Sequence, residues 1–231
     1  MCRSTDPHDK RLRTSALVRY KDKTILIDCG PDFREQVLRS GVKEIDAVLL
    51  THIHYDHVGG LDDLRPFYGK SSLPIFARPD VIADLRARLP YCFVEHPYPG
   101  VPRFEVHEIG NESFAAAGIE VTPISVMHYR LPIVGFKIGP LAYVTDCSHI
   151  DDSELEKMSN IPLLVLDALR QERHISHFSL AESLEVVKRV NPQRAVFIHM
   201  SHDIGLHAQV NASLPPNIQL AHDGMIVITK D

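Results

Sequence analysis

The sequence predicts an α/β fold with many strands, and three observations support this. Short apolar runs recur along the 231 residues and are separated by turn-forming residues. Helical patterns alternate with these runs, most clearly at residues 180–190, where Leu180, Leu184 and Val187 share one face. The composition, 44% hydrophobic and 24% charged, is that of an ordinary globular protein. This length is compatible with one domain, so we expect residues 1–231 to form a single domain.

Individual elements are predicted from the apolar runs and from the residues that interrupt them. Two runs joined by the polar residues 21–23 predict a hairpin, and Gly41 ends a helix at 32–40. Further helices are expected at 61–69, 80–89 and 180–190. The predicted strands are residues 16–20, 24–28, 45–51, 74–77, 119–127, 133–138, 141–146, 163–166, 195–198 and 225–228. The proline-rich segment 90–118 lacks a regular pattern, and we expect a lid or an insertion that faces the substrate.

Charge and composition exclude several classes of function. The net charge of −5 argues against nucleic acid as the main partner. No apolar stretch approaches the roughly 18 to 20 residues of a membrane span, and the polar start does not resemble a signal peptide. We therefore expect a cytoplasmic protein without a membrane partner. The four cysteines are widely spaced and show no disulfide pattern, and Cys29 and Cys147 are expected to be small buried hydrophobic residues.

The densest group of metal-binding residue types lies at residues 51–60, Thr-His-Ile-His-Tyr-Asp-His-Val-Gly-Gly, directly after an apolar run. His52 and His54 are two positions apart, so a chain that leaves a strand can aim both at one point. Asp56 and His57 point in different directions and can serve a second metal. A solvated histidine-rich loop is the alternative, but four such residues at a strand end would crowd potential charge without a partner. The segment therefore predicts a metal site.

Three further donors follow apolar strands in the same way, namely His128, Asp146 and His199. Sites assembled from several strand ends are common in α/β proteins. His177 precedes Ser179 and Glu182, which have the spacing of a capping box, so it is expected at a helix N-terminus that favours phosphate. A neutral capping histidine is the alternative there, and the nearby His174 lacks this relationship to the cap.

The motif at residues 52–57 resembles the His-x-His-x-Asp-His motif of the metallo-β-lactamase superfamily, and Thr145-Asp146 resembles its bridging-aspartate motif. The resemblance implies a four-layer αββα sandwich and two divalent metal ions, Zn²⁺ or Mn²⁺. It assigns His52, His54 and His128 to one metal. It assigns Asp56, His57 and His199 to the other, with Asp146 as the bridge.

Residues 4–7 and 11–15 resemble the opening of the PhnP-like group, which belongs with ribonuclease Z to the phosphodiesterase branch. This implies hydrolysis of a small, cyclic phosphate ester by a metal-bridging hydroxide, with His177 and Asp56 as catalytic residues and Asp28 orienting a ligand. The resemblance also implies a homodimer. Cys2 and His202 match two ligands of a structural zinc site, but the other cysteines and the first strand are not found. We therefore expect a chain that is truncated at its N-terminus and lacks the N-terminal strand, with no bound structural zinc.

Three other functions remain open. A tRNA 3′-processing endoribonuclease of the ribonuclease Z kind would need a strong tRNA-binding surface. A thioester or lactam hydrolase of the same fold would use His222 as a ligand and would not need His177. A metal-binding protein without catalytic activity is the last. We leave His222 out of the predicted site because the phosphodiesterase branch does not use a ligand there.

Overall fold

Residues 3–67, 72–96 and 98–229 are described by the structure, which is a computed structural model. The chain divides into two compact units. The first unit is Arg13–Val121, and the second unit combines Met1–Leu12 with Thr122–Asp231. Both contain strands and helices, as the predicted α/β class requires. Within the described ranges, no helix is both long enough and apolar enough to cross a membrane.

The first unit is built on a five-stranded sheet in chain order. Its strands are β1 (Ala16–Tyr20), β2 (Lys23–Ile27), β3 (Ala47–Leu49), β4 (Leu73–Ala77) and β5 (Phe104–Glu108). The predicted hairpin is confirmed, since β1 and β2 pair antiparallel, whereas β2 to β5 pair in parallel. Its helices are α1 (Phe33–Ser40), α2 (Tyr55–Val58) and α3 (Pro79–Arg88). A 3-10 helix at Leu61–Phe67 replaces most of the helix expected at 61–69, whose last two residues lie outside the described ranges.

The second unit contains most of a larger sheet in which antiparallel and parallel pairing are mixed. The strands are β6 (Phe114–Ala116), β7 (Ile119–His128), β8 (Leu131–Ile138), β9 (Leu141–Val144), β10 (His149–Ile150), β11 (Leu163–Asp167), β12 (Arg194–Ile198) and β13 (Ile218–Leu220). Their order is β10-β7-β8-β9-β11-β12-β13, and β6 pairs with the beginning of β7. The helices are α4 (Asp152–Lys157), α5 (Leu180–Val190) and α6 (His207–Ser213). The parallel strands β9, β11 and β12 bring their carboxyl ends to one edge.

Two sequence predictions are wrong. The segment 90–118 contains the strands β5 and β6, which the sequence analysis does not predict; β5 has only five residues and β6 only three. Residues 225–228 form no strand, and Ile226 and Ile228 are 85% and 81% exposed. An apolar run becomes a strand only where a neighbouring strand supplies hydrogen bonds, and none of the described residues pairs with this one. The expectation that Cys29 and Cys147 are buried is confirmed, because both are 0% exposed.

Candidate metal centre

The first group of donors lies in the loop that follows β3. This strand is buried between β2 and β4, so the chain leaves the sheet at the carboxyl ends of parallel strands. α2 begins immediately after His54 and carries Asp56 and His57. The ring of His52 lies 4.6 Å from that of His54 and 4.3 Å from that of His57, measured between centroids. An Asp56 carboxylate oxygen lies 3.7 Å from His57 Nε2. The first unit thus brings its four predicted ligands together.

The fully buried carboxylate of Asp28 holds this loop in place. It accepts hydrogen bonds from the backbone N–H of Thr51 at 2.9 Å, from the Thr51 hydroxyl at 2.8 Å and from His57 Nδ1 at 2.7 Å. A buried carboxylate is tolerated when its oxygens are bonded in this way. Because Nδ1 of His57 donates to Asp28, Nε2 is the ring nitrogen suited to bind a cation. The hydrogen bond between Asp28 and His57 is the contact through which Asp28 can orient this ligand.

The second group of donors lies at strand ends of the second unit. His128 is the last residue of β7, Asp146 follows β9, and His199 follows β12. Asp146 Oδ2 lies 3.3 Å from His199 Nε2. The ring of His177 stacks on that of His199, with centroids 5.0 Å apart, and meets that of His128 at 4.7 Å. One ligand-type atom from each of Asp146, His177 and His199 lies within 4.8 Å of the others. The second unit thus brings its three predicted ligands and His177 together.

Hydrogen bonds fix the ring orientation of His128 and His177. His128 Nδ1 lies 2.9 Å from the carbonyl oxygens of Asp146 and Ser176, and since carbonyls only accept, this nitrogen carries the hydrogen. His177 Nδ1 lies 3.2 Å from the carboxylate of Asp167. Asp167 is fully buried and also accepts from the backbone N–H of Cys147 at 3.0 Å. Burial raises the pKa of the Asp167 carboxyl, and the bond from His177 opposes that shift.

The sequence prediction did not find Asp167. This residue is the last of β11, so it obeys the same rule as the other donors, an apolar strand followed by one polar group. Asp167 lies one residue beyond the apolar run 163–166 that predicts this strand, so the apolar pattern alone does not include it. His174 was set aside, yet it lines an open pocket of about 450 Å³ together with His177. Burial lowers the pKa of the His174 imidazole.

The capping box predicted before α5 is confirmed. The Ser179 hydroxyl accepts from the backbone N–H of Glu182 at 3.3 Å, and the Glu182 carboxylate accepts from the backbone N–H of Ser179 at 2.9 Å. The expectation that this helix end favours phosphate is not supported, because Glu182 places a negative charge there and the box occupies two of its amides. Any preference for phosphate must come from other groups.

Two remaining histidines lie apart from these donors. The ring of His222 packs against those of His8 at 4.2 Å and His207 at 5.9 Å. The side chain of His202 is 68% exposed and lies 3.3 Å from the Asp203 carboxylate. Cys2 lies outside the described residues, so the expectation that no structural zinc is bound at Cys2 and His202 stays a prediction.

The donors within each unit fit a divalent cation. Zinc–nitrogen bonds of 2.0–2.1 Å in tetrahedral geometry place two ligand atoms roughly 3.3 Å apart. His52 Nε2 and His54 Nδ1 are 2.9 Å apart, and the Asp146–His199 pair is 3.3 Å apart. Imidazoles whose other nitrogen is fixed by a hydrogen bond, together with carboxylates, are typical ligands of zinc and manganese.

Comparison with known proteins gives the family. Residues 23–200 match the profile described as Beta-lactamase superfamily domain. The crystal structure of a new diphosphatase from the PhnP family is similar with a TM-score of 0.90 and 39% identity, over 97% of this chain and 86% of that one. An octanoyltransferase from Porphyromonas gingivalis (strain ATCC BAA-308 / W83) is 42% identical over 99% of this chain and 47% of its own length. A ribonuclease Z from Mycobacterium sp. (strain KMS) is 28% identical over 71% of this chain and 60% of its own length.

The two curated relatives are longer than this chain, which spans about half of the octanoyltransferase. The superfamily profile, by contrast, covers most of the chain, and the PhnP-family structure is matched along nearly its whole length. The predicted metallo-β-lactamase fold is therefore confirmed. The chain belongs to the β-lactamase superfamily and, within it, to the PhnP family.

Proposed function

We propose that this protein is a phosphodiesterase that hydrolyses a small, cyclic phosphate ester with two divalent cations, Zn²⁺ or Mn²⁺. The observation that carries the proposal is the placement of His177. Its ring contacts those of His128 and His199, its Nδ1 is bonded to the buried Asp167, and it lines an open pocket. A fixed imidazole beside metal-type donors is suited to protonate a leaving oxygen.

The proposed ligands are those that the resemblance assigns, with Asp146 as the bridge: His52, His54, Asp56, His57, His128, Asp146 and His199. When bound, the cations neutralise phosphoryl charge and lower the pKa of water towards neutrality. Asp56 is the proposed catalytic carboxylate among these residues.

His177 is the proposed general acid. Its imidazolium form donates the Nε2 proton to the departing alkoxide, and the Asp167 carboxylate at 3.2 Å stabilises that positive charge. Asp28 positions the metal ligands, because its hydrogen bonds from Thr51 and His57 hold the ligand loop in place before the substrate binds. Asp28 and Asp167 are therefore positioning residues: each holds a histidine in place, and neither touches the substrate.

A diphosphate is the second candidate substrate, because the similar PhnP-family protein is described as a diphosphatase. Cleavage of a phosphoanhydride requires the same attack on phosphorus and a less basic leaving group. We do not extend octanoyl transfer to this chain, since the chain covers only 47% of the protein that bears this name. Processing of tRNA would be indicated by salt-sensitive binding of tRNA, because phosphate contacts give steep salt dependence.

The test is a hydrolysis screen with protein loaded with Zn²⁺ or Mn²⁺. The substrates are 2′,3′-cyclic AMP, a ribosyl cyclic phosphate, bis(p-nitrophenyl) phosphate, ADP-ribose and a thioester. We expect turnover of the cyclic phosphates and a loss of about 10²- to 10⁴-fold in His177→Ala. His222→Ala is the matched control and should keep full activity. Loss of metal binding in His222→Ala with a silent His177→Ala would instead indicate the thioester or lactam hydrolase.

A further inference from the structure

We propose that the second unit contains a subsite for the second phosphate group of a diphosphate substrate, formed by Arg173 and His174 beside His177. The inference rests on the second candidate substrate of the proposed function, a diphosphate, with His177 acting at the first phosphorus. The open pocket of about 450 Å³ is lined by Tyr129, Ser148, Arg173, His174, His177 and Glu182, among others. Beside the proposed acid, Arg173 can carry positive charge and His174 can donate a hydrogen bond to a phosphate oxygen.

Arg173 supplies the charge. Its side chain is 87% exposed, and its Nε lies 3.0 Å from a carboxylate oxygen of Glu182. Exposed ion pairs of this kind contribute little free energy, so an incoming phosphate can replace Glu182 as the partner of the guanidinium. Glu182 does not lose its other role in the exchange, because its second oxygen still accepts the backbone N–H of Ser179 at 2.9 Å.

His174 supplies a neutral donor. The backbone N–H of Ser176 points to His174 Nδ1 at 3.3 Å, and the Ser176 hydroxyl lies 3.1 Å from the same nitrogen. A backbone N–H can only donate, so Nδ1 is the acceptor and the hydrogen of the neutral ring is on Nε2. The ring centroid lies 5.3 Å from that of His177. His174 therefore presents an N–H donor in the same pocket as the acid.

The chemistry of the site favours a second phosphate over a neutral group. Cations bound at the proposed centre would neutralise the reacting phosphoryl group, so more positive charge at the pocket would benefit a further anionic group. Ser176 joins the two regions, because its carbonyl accepts from His128 Nδ1 while its N–H and hydroxyl fix His174. The subsite is thus built from the same loop that orients a proposed ligand.

Calorimetric titration with α,β-methylene-ADP, which cannot be hydrolysed at the anhydride, and with AMP tests the subsite. We expect the wild-type protein to bind the diphosphate at least about tenfold more tightly than AMP. Arg173→Ala and His174→Ala should each lower this ratio by about ten- to a hundredfold, down to a limit near one, because each removes a bond to a charged group. Glu182→Gln should raise it, since glutamine keeps the capping box and removes the competing charge.

Arg189→Ala is the matched control. Arg189 pairs with Asp152, is about half exposed, and does not line the pocket, so its removal changes the net charge equally and should leave the ratio unchanged. His174→Gln keeps an N–H donor and should retain part of the preference, which decides the matter if His174→Ala does not fold. An unchanged ratio in Arg173→Ala, or no preference in the wild type, overturns the subsite. Because binding needs no turnover, a protein with the preference but no hydrolysis refutes only the proposed function.

Discussion

Replacing Asp28 with asparagine should weaken metal binding without removing any ligand. The carboxylate accepts three hydrogen bonds, two from Thr51 and one from His57 Nδ1 at 2.7 Å. An asparagine of the same size has one acceptor oxygen, so its NH₂ group must face a donor. At this buried position that conflict breaks at least one charge-assisted bond, which corresponds to about 1.5–3 kcal/mol of folding free energy.

The loss of metal affinity follows from the same bond. Without an acceptor at Nδ1, His57 is no longer held with Nε2 as the ligand nitrogen, and substitutions at such orienting residues typically weaken metal binding about 10- to 100-fold. We expect a Kd for Zn²⁺ raised by that factor, measured by competition with a chromophoric chelator. Thermal unfolding of the metal-free protein should show a lower Tm for Asp28→Asn.

Asp46→Asn is the matched control for this prediction. Asp46 lies in the same unit and accepts from Lys23 Nζ at 2.9 Å and from the backbone N–H of Thr24 at 2.8 Å. Its replacement should lower stability and leave zinc affinity unchanged. If folded Asp28→Asn binds zinc as tightly as the wild type, Asp28 does not orient a ligand and the reasoning fails.

Three further predictions concern the acid, the helix cap and the thiols. His177→Ala should slow esters with alkoxide leaving groups far more than bis(p-nitrophenyl) phosphate, because p-nitrophenolate leaves without a proton; equal losses in steady-state rates would contradict general-acid catalysis. Ser179→Ala should lower the free energy of unfolding by about 1 kcal/mol, and an unchanged Tm would show that the cap is not stabilising. Burial raises the pKa of the thiols of Cys29 and Cys147, and that of Cys92 to about 11. At pH 8 all three should therefore react with a disulfide reagent only after unfolding, and rapid labelling of Cys29, Cys92 or Cys147 in the native protein would contradict this.

Much of the candidate site could be predicted because its signal is local in sequence. An apolar strand followed by one donor identified His128, Asp146 and His199, and each lies where that pattern places it. The hydrogen-bond partners could not be predicted in the same way. The carbonyl oxygens that fix His128 belong to residues 146 and 176, and no residue-type pattern marks a backbone carbonyl.

Strands were predictable where burial makes the sequence continuously apolar, and not where the strand depends on pairing with a neighbouring strand. β11 and β12 are continuous apolar runs and were found almost to the residue. β5 reads Phe-Glu-Val-His-Glu, with three polar residues out of five, and pairs in parallel with β4. The apolar run at 225–228 shows the converse, since it has the composition of a strand and finds no partner among the described residues. Strand formation depends on neighbours that the local sequence does not reveal.

Three of the polar residues that follow strands share an unusual backbone conformation. Asp28, Asp146 and His199 have positive φ angles of 59°, 53° and 58°, a left-handed conformation that costs a residue other than glycine on the order of 1 kcal/mol or more. Each follows a strand, and the left-handed conformation makes a sharp turn there. Hydrogen bonds stabilise two of these turns. The Thr51 hydroxyl donates to the Asp28 carboxylate, and the Thr145 hydroxyl donates to the Asp146 carboxylate at 2.6 Å. Glycine would relieve the strain and remove the functional group. The donors in each unit are therefore oriented by the polypeptide itself, so that a cation would bind to side chains already in place.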